Sequence, residues 1–136
     1  MLPDRELSRR QSEAAVDAEV SVVFHGPFEG YLVLRMCGGT LAVVTMNMLG
    51  ESEPPAEALQ RDALGELANV ICGNLLPAIA GSREIFRLDP PQPGQPGAAA
   101  PAGSALVSTA TIGLDEGRAE LSLYATEALA NAGAAA

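Results

Sequence analysis

The sequence predicts an α+β fold, an antiparallel sheet covered on one face by helices. Three observations carry this. Strand-like stretches rich in β-branched residues come in two pairs, one from residue 19 to 37 and one from residue 104 to 125. Between the pairs lies a long helical pattern with its start and stop signals in the right order. Strands grouped in pairs around helices favour antiparallel pairing over a parallel βαβ arrangement.

Taken in order, residues 1–17 are polar and charged and read as a loosely ordered arm or a short helix. "EVSVVFHG" follows from Glu19, and "FEGYLVLRMCGG" carries apolar residues at Tyr31, Val33 and Met36 before a Gly-Gly stop. The His25-Gly26-Pro27-Phe28 junction predicts a hairpin between them. Thr40 is placed to cap a short helix over residues 41–49. In "ESEPPAEALQRDALGELANVICGNLLPAIAG", Pro54-Pro55 opens the pattern, acids follow in the first turn and Gly81 lies just past the end. These features predict a long helix, with an apolar face at positions 64, 67, 68, 71, 75, 76 and 79. "REIFRLDP" reads as a short strand. Residues 90–103, a Pro/Gly/Ala segment without large apolar groups, are expected to form a flexible surface loop. "SALVSTATIGL" and "GRAELSLYA" return to alternation around Leu114-Asp115-Glu116-Gly117, which predicts a second hairpin. The expected organisation is one domain over residues 18–126, between the arm at 1–17 and an Ala-rich tail at 127–136.

Composition limits the function. The chain has 136 residues, 48% of them hydrophobic but only 4% aromatic, so its core must be built from Leu, Val, Ile and Ala. A formal charge of −9 opposes a nucleic-acid or anionic-lipid partner, since both require a basic surface. No apolar run approaches the length expected of a membrane span, and "MLPDRELSRRQSEAAVDAEV" lacks the apolar core of a signal peptide. Cytoplasmic location is the expectation. Two distant cysteines, Cys37 and Cys72, and a single histidine make a protein-built metal site improbable, so the thiols are expected to be free and buried.

The long helix carries a polar stripe. At 100° per residue, Asp62, Glu66, Asn69 and Gly73 fall within a sector of about 60°, away from the apolar face. Gly73 leaves a gap beside Asn69 where another molecule's backbone has room to approach. Gly65 and Gly73 each cost on the order of 1 kcal/mol relative to alanine within a helix, and Pro77 adds a further penalty. Two adjacent carboxylates without imidazole are not a metal signature, and on one helical turn they cannot flank a glycosidic bond. No GxSxG, P-loop or GxGxxG motif is present. Periodicity alone leaves a plain solvated helix face as the alternative.

"RDALGELANVICGNLLPAIAG" resembles the signature helix of the CheX/CheC chemotaxis phosphatase family, with an acid or Ser, three residues, Glu, two residues, Asn and a downstream Pro. Asp62-x3-Glu66-x2-Asn69 fits, and Gly73-Asn74 continues the match. "EGYLVLRM" and "GRAELSLYA" resemble family strands, so the likeness covers roughly residues 19–125. The family spacing puts the downstream Pro at position 92, which is Gln92 here, flanked by Pro91 and Pro93.

The resemblance implies a CheC-like fold and hydrolysis of the aspartyl phosphate of a CheY-like response regulator. The regulator would supply Mg2+, and this chain no cofactor of its own. Glu66 and Asn69 would be catalytic, with Asn69 positioning the attacking water and Glu66 meeting the regulator's lysine. Asp62 and Gly73 would contact the partner. A homodimer is expected, because family members pair through their sheets. The alternative is a non-catalytic CheX-like module that binds a receiver domain or another signalling or motility protein.

Overall fold

The structure, a computed structural model, describes residues 7–50, 52–53, 55–81, 83–114 and 117–126. In chain order its elements are α1 (Arg9–Glu13), β1 (Val16–His25), β2 (Gly30–Cys37), α2 (Thr40–Leu49), α3 (Glu57–Ala80), β3 (Arg87–Leu88), β4 (Gln92–Pro93), a 3-10 turn at Gly97–Ala99, β5 (Ala105–Leu114) and β6 (Gly117–Ala125). The strands form one antiparallel sheet in the order β3-β1-β2-β6-β5, with β4 also paired to β1. Both expected hairpins are present. Pro54, Asp115, Glu116 and the tail at 127–136 lie outside the described residues.

Alternation assigns the faces. Val20, Val22 and Phe24 of β1, Leu32, Leu34 and Met36 of β2, and Leu123 of β6 point to one side and are buried. On them lies the α3 stripe Leu64, Ala68, Cys72 and Leu76, spaced four residues apart so that each sits one turn above the last. Fully burying a leucine of this kind stabilises by about 1.5–3 kcal/mol. Phe24, Phe28 and Phe86 close one end of this core edge-to-face, with centroids 5.0–6.0 Å apart. Both cysteines are free and buried. With 24 residues and a mean hydropathy of 1.4 in its most apolar window, α3 is long and apolar enough to cross a bilayer, contrary to the sequence expectation. Its place as the core helix accounts for that apolarity.

Four details differ from the sequence reading. Gly39, not Thr40, is the N-cap of α2: its φ of 77° is open to glycine, and Thr40 Oγ1 instead donates to the Cys37 carbonyl. Within "REIFRLDP" only Arg87–Leu88 pairs as a strand. Ile79, assigned to the apolar face, is exposed. The fourth concerns residues 90–103, expected as a loop unable to pack. Gln92–Pro93 pairs with Val20 and Ser21 of β1, and Gly94 N–H donates to the Glu19 carbonyl at 2.8 Å.

The segment after β4 must carry the chain from beside β1 to β5 at the opposite edge. Gln95 Nε2 donates to Glu19 Oε2 at 3.2 Å, and Glu19 alternates with core-facing Val20. The face opposite α3 holds the buried row Ser21, Val33 and Ser122. The same face receives α1. A Ser8–Gln11 capping box opens that helix, and Arg118 donates to the carbonyls of Gln11, Ser12 and Ala14 at its end.

Candidate functional site

The groove between α3 and the β1 edge of the sheet gathers most of the predicted site. It encloses about 830 Å³ and is lined by Asp62, Glu66 and Asn69 of α3, by Asp17 and Glu19 of β1, and by Pro91, Pro93 and Gly94. Asp62 and Glu66 are exposed on successive turns. Asn69 was expected to be exposed as well; it is half-buried. Its Oδ1 is closed off from solvent and has no hydrogen-bond partner among the described residues. Gly73 is not among the groove-lining residues. A Cβ there would meet nothing within 4 Å, so it is an open position further along the same helix, next to exposed Val70 and Asn74.

The stretch 89–94 forms the outer wall. It is tied to β1 at both ends: Asp89 N–H donates to the Val23 carbonyl at 2.8 Å, and Gly94 N–H to that of Glu19. In the middle, Pro91 sits on α3 at Gly65. A Cβ on Gly65 would lie 3.0 Å from Pro91 Cγ and 3.3 Å from its Cβ. The glycine that admits a close approach is thus Gly65, one turn before Asn69, and the approaching group belongs to this chain. Sequence reasoning missed both residues. The family's downstream Pro, expected one position later, was the available signal.

The groove is acidic. Arg61 is the one basic residue in its lining, and its guanidinium already holds Glu57 at 2.9 Å. Glu19 is paired with Arg35, and Asp17 accepts the Gly39 N–H. Asp62 and Glu66 have no ion-pair partner among the described residues, so they remain available to a cation brought from outside. Burial pushes the Cys72 thiol up to about 12, so this core cysteine is no nucleophile. Among the described residues no cluster of His, Cys, Asp and Glu is arranged to hold a metal ion. The site offers one half-buried carboxamide between an unpaired acid and an open helix face. That is equipment for orienting a small molecule or a partner's side chain; no Ser, Thr, Cys or Lys lines the groove among the described residues.

A family model described as the chemotaxis phosphatase CheX matches residues 19–103. No curated protein matches the chain. Among solved structures, it is similar to CheX from Borrelia burgdorferi, determined in a complex with CheY, BeF3 and Mg2+. The two share 20% identity over 88% of this chain and 79% of that one, with a TM-score of 0.64. Vibrio vulnificus CheX is 17% identical over 80% and 75% of the two chains, with a TM-score of 0.63. A chemotactic CheC-like protein from Shewanella oneidensis is 19% identical over 82% and 76%, with a TM-score of 0.62. Likeness at these identities concerns the fold.

Proposed function

This chain belongs to the CheX family of chemotaxis phosphatases, and from that premise we propose that it hydrolyses the aspartyl phosphate of a CheY-like response regulator. The observation that carries the reading is the placement of Glu66 and Asn69 on adjacent turns of α3, lining an acidic groove in which Glu66 has no ion-pair partner among the described residues.

Phosphoryl transfer asks a helper protein for positioning and charge stabilisation rather than covalent chemistry. The regulator holds Mg2+ and its own lysine beside the phosphoaspartate. Asn69 enters that site and its carboxamide oxygen accepts a hydrogen bond from the attacking water, holding it in line with the phosphorus without adding negative charge. In the free protein that oxygen is turned inward. Since it has no hydrogen bond there to lose, rotating the amide to present oxygen to the groove sacrifices no hydrogen bond of that oxygen among the described residues. Glu66 pairs with the regulator's lysine and fixes the depth of insertion. Asp62, one turn outward, takes a basic group at the rim, and the bare Gly73 lets the partner's backbone approach the helix.

The inward oxygen also gives weight to the second reading, a CheX-like module that binds a receiver without hydrolysing its phosphate. Loss of radiolabelled phosphate from the phosphorylated regulator, measured with and without this protein, separates the two. Faster release supports the phosphatase. Complex formation with an unchanged release rate assigns the binding module.

A further inference from the structure

We propose that Gly65 is a positioning residue for this site: its missing side chain sets how closely the Pro91 wall lies against α3, and so the width of the groove beside Glu66 and Asn69. The inference rests on the phosphatase reading for its functional consequence, but its structural half stands on this chain alone.

Gly65 is buried in the middle of a 24-residue helix, where alanine would be the better helix former. The glycine is therefore not there for the helix. What occupies the space of its absent side chain is the Pro91 ring, within 3.0–3.3 Å of where a Cβ would stand. Contacts that tight oblige a neighbour to give by a few tenths of an ångström. The neighbour that gives is the wall, since Pro91 lies between the two short pairings that tie it to β1, β3 at Arg87–Leu88 and β4 at Gln92–Pro93, with single bonds at Asp89 and Gly94. The helix is held by its continuous ladder and by the core stripe at Leu64 and Ala68. Gly65 and Asn69 are one turn apart on one face, and Pro91 and Asn69 line the same groove. A retreat of the wall widens the groove where the partner's phosphoaspartate would enter.

The test compares the parent with Gly65→Ala and with Gly65→Ala combined with Pro91→Ala, which removes the Cγ that the new methyl would strike. In the free proteins, Gly65→Ala should shift the side-chain amide resonances of Asn69 in a 1H–15N spectrum, and the double variant should return them toward the parent positions. In the turnover assay, Gly65→Ala should lower stimulated phosphate release several-fold to about tenfold, as sub-ångström misplacement of a positioned group does. The double variant should recover most of that rate, and the thermal midpoint of Gly65→Ala should equal or exceed the parent's. Unmoved Asn69 resonances overturn the proposal, as does a rate lost only in proportion to stability. Should the parent itself stimulate no phosphate release, the phosphatase reading falls, and the shift and its rescue still decide the role of Gly65.

Discussion

His25, the single histidine of the chain, ends β1 between two carboxylates. Nδ1 faces Glu29 Oε2 at 2.7 Å and Nε2 faces Asp89 Oδ2 at 3.0 Å. Two ring nitrogens both meeting acceptors are satisfied together only by the doubly protonated ring. The hydrogen bonds to Glu29 and then Asp89 raise its pKa above 6.5, against partial desolvation and the nearby Arg87. A raised folded-state pKa means the stabilisation is fully present below pH 6.5 and is lost as pH climbs through the folded value. Asp89 anchors the groove wall, so this bridge ties the first hairpin to the site. Thermal unfolding of the parent and His25→Gln, followed from about pH 6 to about pH 9, should show a stability gap that narrows with rising pH. A gap that stays constant or widens would remove His25 from any such role.

At the scale of elements, the wall and the crossing after it carry more of the structure than their composition suggests. Replacing residues 90–103 with a Gly/Ser link of equal length removes the β4 pairing, the Pro91 seat on Gly65 and the bonds of Gly94 and Gln95 to Glu19. The midpoint of thermal unfolding should fall by more than about 5 °C in a domain of this size. A midpoint unchanged within experimental scatter would return the segment to the loose loop its composition predicts. The contrast shows what was legible in the sequence. The long helix and both hairpins are written in local periodicity: Leu64, Ala68, Cys72 and Leu76 repeat at helical spacing, and Leu121 and Leu123 alternate with polar neighbours. Nothing local distinguishes Gly65 from Gly73, because their difference lies in Pro91, which reaches α3 from 26 positions along the chain. The polar stripe of Asp62, Glu66 and Asn69 was likewise readable from spacing. The half-burial of Asn69 was not, since it depends on what packs around the helix and not on spacing along it.

For the molecule as a whole, two surfaces stand open. One is the acidic groove. The other is the free edge of β5, a ten-residue strand with neither Pro nor Lys to blunt it, carrying exposed Leu106 and Val107. Beside it an apolar hollow of about 870 Å³ runs between Leu75 and Ile79 of α3 and the inner faces of β5 and β6. No described helix covers it. Such an edge and hollow are suited to a second copy of the chain, and the expected state is a homodimer. Light scattering at micromolar concentration should return twice the mass of one chain; a monomeric mass across that range would contradict it.

Asn69 is the residue on which the functional reading turns. The most direct test is the rate at which a phosphorylated CheY-like regulator loses its phosphate in the presence of the parent or of Asn69→Ala, read together with the thermal midpoint of each protein. The substitution removes a carboxamide that makes no hydrogen bond among the described residues, so the midpoint should move by no more than a few degrees. The stimulated rate should fall at least about tenfold, equivalent to roughly 1.4 kcal/mol of transition-state stabilisation. A stable Asn69→Ala protein that matches the parent's rate would contradict the mechanism, and one that no longer folds would make Asn69 a structural amide.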